Sequence, residues 1–103
     1  MTEVRWTLQA ADDLAAIRDF IARDSPGQAQ AVVERLFDSA SQLATFPDSG
    51  RMVPERGTPE LRELVRPPYR LVYRRRPEVV EILTVHHAAL PIPESLPGEE
   101  GTA

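Results

Sequence analysis

"LRELVRPPYRLVYRRRPEVVEILTVHHAAL", residues 61–90, decides the fold. It contains three runs of alternating character separated by two very short breaks. In the first, 61–66, Leu61, Glu63 and Val65 alternate with Arg62, Leu64 and Arg66, so neither face is cleanly apolar. In the second, 69–75, Tyr69, Leu71 and Tyr73 oppose Arg70, Val72 and Arg74. In the third, 78–85, Val80, Ile82 and Thr84 oppose Val79, Glu81, Leu83 and Val85. A period of two is the signature of a strand with two distinct faces. The links Pro67-Pro68 and Arg76-Pro77 leave room only for tight reversals, so the three runs form an antiparallel meander.

Upstream the period changes. "EVRWTL", 3–8, alternates Val4, Trp6 and Leu8 with Glu3, Arg5 and Thr7 and reads as an early strand with one buried face. From Gln9, helical spacing takes over: Leu14, Ile17 and Ile21 fall on one side while Asp12, Asp13, Arg18, Asp19 and Arg23 fall outside. "SPGQ", 25–28, starts a second helix with Ser25 as cap and Pro26 in its first turn. Val32, Val33, Leu36, Phe37, Ala40, Leu43 and Ala44 line one side of it, and Pro47 after Phe46 stops it. Two helices joined by a short turn form an antiparallel hairpin. Only the sheet can bury their apolar stripes, so the fold class is α+β, in the order β-α-α-β-β-β, with the hairpin on one sheet face. The other face is left partly open and carries arginines. Residues 47–60 read as a Pro/Gly-rich loop, and Pro91 to Pro93 as ordered at most by packing back on the sheet. Residues 1–93 form one domain and 94–103 a flexible acidic tail.

With 103 residues, 42% of them hydrophobic, the chain supports one core. It has no cysteine, which excludes disulfides and thiolate metal sites and fits a reducing, cytoplasmic setting. The start has no basic leader, and no stretch has the roughly 18 apolar residues of a membrane span, so no membrane partner is expected. The net charge of −4 is unevenly distributed: residues 51–76 hold eight arginines against three acids, while 77–103 hold five acids and no base. Every basic residue is arginine, whose planar fork suits phosphate or carboxylate partners. An anionic partner for this face follows.

His86 and His87, the only histidines, are adjacent at a strand end and point to opposite faces, so no metal site is expected. One reads as core-facing with a satisfied ring nitrogen, the other as lying on the arginine face. Tyr69 and Tyr73 read as cross-strand packing residues. The alternative is that Arg70, Tyr73, His86 and His87 converge, as a metal-free ribonuclease needs to activate a 2′-hydroxyl and neutralise a phosphate. No serine lies in a nucleophile elbow and no glycine-rich phosphate loop occurs, so no cofactor is expected.

Taken in order, "AADDLAAIRDFIA", "FPDSGR", "YRLVYR" and "ILTVHHAA" resemble the ParE/RelE superfamily of bacterial type II toxins, on the ParE side, over residues 3–93. The resemblance implies a helix hairpin on a small twisted antiparallel sheet, a role in plasmid stabilisation, and a cognate antitoxin that wraps and neutralises the toxin. DNA would then be met only through that antitoxin. ParE members poison DNA gyrase, whereas RelE members cut mRNA on the ribosome. Arg70 matches the sheet arginine that faces RNA in RelE-type nucleases. "VHHAAL" matches a segment where the family usually reads His, two residues, then Arg; here His87 is followed by Leu90 in that place. Leucine there lacks a fixed charge and up to five donors. The absence of lysine and the acidic total favour a protein target. The expectation is a gyrase-binding toxin whose interaction face comprises Arg62, Arg66, Arg70 and Arg74, Arg75 and Arg76, with His87 and Leu90 at its end. The alternatives are a RelE-like nuclease and an inactive toxin-fold partner.

Overall fold

Thr7 ends the first strand and starts the first helix. Its hydroxyl donates to the Ile82 carbonyl at 2.7 Å and accepts from Ala10 N at 3.2 Å, tying the helix start to the last strand. In the computed structural model, which describes residues 1–98, this cap shortens the first strand relative to the alternation, which ran to Leu8. The elements are β1 (Glu3–Trp6), α1 (Leu8–Ala22), α2 (Pro26–Ser41), β2 (Arg51–Met52), β3 (Leu61–Arg66), β4 (Tyr69–Arg75) and β5 (Val79–His87). Ser25 caps α2 by accepting from Gln28 N at 3.2 Å, with Pro26 in the first turn as its fixed φ favours. The helix does not reach Pro47: it tightens into a 3-10 turn over Gln42–Ala44. That turn places Leu43 in the core and lets the Ala44 carbonyl accept from Thr2 N at 2.8 Å.

The sheet order is β1-β5-β4-β3-β2, with β1 parallel to β5 and the other pairs antiparallel. A parallel pair needs a crossover, and the helix hairpin is the first part of the chain that makes it. The meander of β3, β4 and β5 stands as the alternation predicts, with a register shift at Val72/Tyr73. The third strand begins and ends later than expected, so both histidines lie within it.

Leu36, Ala40 and Leu43 of the second helix region pack with Leu64, Tyr69, Leu71, Tyr73, Val80 and Ile82 on one sheet face, flanked by Val4, Trp6, Leu14, Ile17 and Val32. Phe37 stays half exposed but stacks on Trp6, centroids 6.0 Å apart. Among the described residues no helix is long and apolar enough to cross a membrane.

The second sheet face departs from expectation. It is not open: Val53, Leu61, Val72, Leu83, Ile92 and Leu96 form a separate buried cluster. The loop after β2 and the segment after β5 fold over it, Ile92 packing back as the prolines around it allow and Leu96 following. Neither segment has an apolar period, so nothing in their patterning tells which face they cover. Of the acidic tail read over 94–103, residues 99–103 lie outside the described residues.

Candidate functional site

The structure sorts the arginines of the middle third into three environments. Arg70, on the central strand, is the most enclosed, with 9% of its side chain exposed. Its Nε donates to Glu63 at 2.6 Å, and its two terminal nitrogens donate to the two oxygens of Glu55 at 2.9 and 2.7 Å. Glu63, with no side-chain exposure, also accepts from Arg51 Nε at 2.7 Å. Two carboxylates thus face two guanidiniums, that of Arg70 enclosed and that of Arg51 61% exposed. A charge-assisted, bidentate pair of this kind is about twice as strong as a neutral hydrogen bond. The hydrogen bond from Arg70 is the main cause that draws the Glu55 carboxyl from the usual 4.5 down to about 2, against the opposing effect of its burial. The same bond, read from the other side, raises Arg70 further above its ordinary range. Glu55 also accepts from Ile92 N at 3.3 Å, and Arg56 donates to the Pro93 carbonyl, so the loop grips both β4 and the C-terminal segment.

The second environment is a cleft of about 570 Å³ at the end of the sheet where β3 begins and β4 turns into β5. Arg62, Arg74, Arg75 and Arg76 line it together with Asp48 and Glu60. Arg75 pairs with Asp48 at 2.9 Å and Arg74 with Glu60 at 3.3 Å, and those two carboxylates are 65% and 68% exposed. Arg76 pairs with Glu81 at 2.9 Å. Arg62 has no carboxylate partner among the described residues; its Nη1 donates to the Gly50 carbonyl at 2.9 Å while its Nε is buried. Gly50 sits there because a Cβ would come within 2.7 Å of the Glu63 carbonyl and the Tyr73 ring.

The third environment belongs to Arg66, which turns to the helices and donates to Ser39 Oγ at 2.9 Å and to the Val65 carbonyl. Four of the expected interaction residues therefore share one cleft, whereas Arg66 and Arg70 each serve an internal contact.

The groups considered for nuclease chemistry are spread over both faces. Arg70 is paired in register with His86, and Tyr69 with His87. His86 Nε2 lies 2.9 Å from the Pro91 carbonyl. His87, exposed, accepts at Nδ1 from Ala89 N at 3.0 Å and meets the Tyr69 ring edge-on at 5.8 Å. Tyr73 lies in the helix-side core, its hydroxyl donating to the Pro47 carbonyl at 2.8 Å and accepting from Gly50 N at 3.0 Å. Burial is the main cause that pushes its pKa up. Tyr73 and Arg70 therefore point to opposite faces. Leu90 is 56% exposed, just past the strand end, with its N–H bonded to the His87 carbonyl.

Sequence reasoning missed the carboxylates. Glu63 had a legible signal, sharing a face with Leu61 and Val65. Glu55 and Asp48 had none, since each lies in a loop without period.

Residues 4–89 match the family model described as the ParE toxin of the type II toxin-antitoxin system parDE. Toxin RelE2 of Caulobacter vibrioides is 43% identical over 90 residues, covering 86% of this chain and 98% of the relative. The chromosomal ParDE toxin-antitoxin system from P. aeruginosa contains a chain 27% identical with a TM-score of 0.69, over 84% of this chain and 96% of that one. The RelBE2 toxin-antitoxin complex from Mycobacterium tuberculosis contains one 29% identical with a TM-score of 0.51, over the same shares.

Proposed function

We propose that this chain, which belongs to the ParE toxin family of type II toxin-antitoxin systems, works in the cytoplasm by binding and poisoning DNA gyrase and is neutralised by a cognate antitoxin. The observation that carries binding over cleavage is the state of two of the four groups a metal-free nuclease would call on. The Tyr73 hydroxyl is engaged by Pro47 and Gly50, and the Arg70 guanidinium by Glu55 and Glu63. Besides the exposed His87, what remains at the surface is the arginine cleft, a recognition element rather than a proton-transfer set. An antitoxin partner is supported by the solved relatives, which are a toxin-antitoxin system and a toxin-antitoxin complex. Exposed Leu8, Phe20, Phe37 and Phe46 offer apolar surface of the sort protein partners cover. DNA is then reached only through that partner.

A second reading, a ribosome-dependent mRNA endonuclease, is favoured by the relative named RelE2 and by the cross-strand pairing of Arg70 with His86. A third, a non-toxic partner that acts only in the antitoxin complex, is favoured by Leu90, a leucine at an exposed strand end where a guanidinium would reach solvent. One experiment separates the three. The chain and its Leu90→Arg variant are expressed from a tight promoter in bacteria lacking the antitoxin, and growth, cell shape, plasmid supercoiling and mRNA integrity are followed. The gyrase reading expects growth arrest with filamentation and altered supercoiling over intact mRNA, in Leu90→Arg at least. Rapid mRNA cleavage moves the chain to the nuclease class, and absence of toxicity in both versions leaves the complex-partner reading.

A further inference from the structure

The cleft lined by Arg62, Arg74, Arg75 and Arg76 has a chemistry more specific than positive charge. Its volume of about 570 Å³ lies within the range of roughly 300–1,000 Å³ typical of ligand-binding clefts. Guanidinium forks donate to phosphate and carboxylate alike, so the acceptors already present and the charges at the rim decide between them. The acceptors already held are those of a polypeptide: the Asp48 and Glu60 carboxylates and the main-chain carbonyls of Gly50 and Gly98, the last 3.2 Å from Arg74 Nη1. Pro59 and Pro77 add apolar wall between them.

The rim argues against a nucleic-acid backbone. Asp48 and Glu60 stand at the cleft mouth, and the chain as a whole carries −4. A continuous polyanion meets those carboxylates wherever it runs, and its affinity depends on neutralising many phosphates at once. Discrete carboxylates on a peptide instead exchange with them one at a time, and the exposed Asp48 and Glu60 can swing into water as they leave. Arg62, with no carboxylate partner among the described residues, adds a fixed charge that needs no displacement.

We propose that the arginine cleft is a binding site for an acidic polypeptide segment of another protein, whose carboxylates replace Asp48 on Arg75 and meet Arg62. As a deepening of the binding reading above, it rests on this face docking the chain's protein target. The two fail separately, because the supercoiling assay uses no peptide and the peptide assay uses no gyrase.

The test measures fluorescence anisotropy of a short labelled peptide of alternating glutamate and leucine at low ionic strength, beside a thymidine oligonucleotide of equal charge. The full chain is compared with Arg62→Gln/Arg75→Gln and with Arg5→Gln/Arg18→Gln, which makes the same charge change on exposed arginines outside the cleft. The peptide is expected to bind more tightly than the oligonucleotide, to lose about tenfold or more in affinity in the cleft variant, and to keep its affinity in the control. The single Arg75→Gln variant, which leaves the Arg62 to Gly50 bond intact, guards against early unfolding of the double variant and is expected to lose about threefold. No peptide binding, equal loss in cleft and control variants, or tighter binding of the oligonucleotide with loss in the cleft variant would each overturn the assignment.

Discussion

Replacing Glu55 by glutamine tests whether the loop is latched to the sheet by charge. The side chain holds Arg70 through two bonds at 2.9 and 2.7 Å and meets Ile92 N at 3.3 Å, so one residue ties the loop, β4 and the C-terminal segment together. A carboxyl drawn from 4.5 to about 2 represents about 3.4 kcal/mol of differential interaction at about 1.36 kcal/mol per pH unit. The Glu55 side chain is still 33% exposed, and solvent screening brings this to on the order of 1.5 kcal/mol. Because the folded-state value is depressed, the contribution is complete above the unfolded value near 4.5 and is lost as pH falls towards about 2. Urea unfolding of both proteins between pH 7 and pH 3 is the assay. Glu55→Gln should be about 1.5 kcal/mol less stable at pH 7, and the gap should narrow steadily below pH 5 as the wild type loses what the variant never had. Amide exchange at Ile92 should accelerate at neutral pH in the variant. A stability gap that is absent at pH 7, or that stays constant down to pH 3, refutes the charge latch.

Arg70→Ala should cost more, about 3–5 kcal/mol, because it strands Glu63, whose side chain has no exposure, with Arg51 as its one remaining counter-charge among the described residues. Chemical denaturation measures this, and a loss below about 1 kcal/mol would show that Glu63 relaxes to water instead. Tyr73→Phe keeps the ring but removes the donor to the Pro47 carbonyl and the acceptor for Gly50 N, and should cost about 1–3 kcal/mol in the same assay. An unchanged midpoint would mean that water takes over both bonds.

Elements with a strong period were legible. The alternation over 61–85 gave the meander and sorted Leu71 and Tyr73 from Val72, and Ser25-Pro26 placed the start of α2. Ends set by side-chain bonds were less so. The hydroxyl of Thr7 bonds to Ile82, a residue brought near only by the parallel pairing of β1 with β5, so a local reading extended the strand. The covering of the second sheet face was not readable, because Val53, Ile92 and Leu96 are single apolar residues in aperiodic segments. Their burial depends on where the chain is led, and the strands lead it there.

The same limit applied to the interaction face. Arginine at alternate positions of a strand says that a charge faces one side, but not whether that side is solvent. Arg70 and Arg74 share one face of β4, yet Arg74 borders an open cleft and Arg70 lies under the loop, while Arg62, paired in register with Tyr73, lines the same cleft from the other face. The difference comes from distant carboxylates: Glu55 lies 15 residues before Arg70, in a turn where Gly57 takes a φ of 68°. A buried ion pair is weak evidence for stability alone, since apolar residues of equal volume often serve as well. Its value here is positional. Glu55 and Glu63 fix Arg70 beneath the loop, whereas Arg75 and Arg74 of the cleft pair with Asp48 and Glu60, whose side chains are exposed. A target that needed Arg70 would first have to open the latch, so Glu55→Gln should speed that target's association, while a target that uses the cleft alone should be indifferent to it.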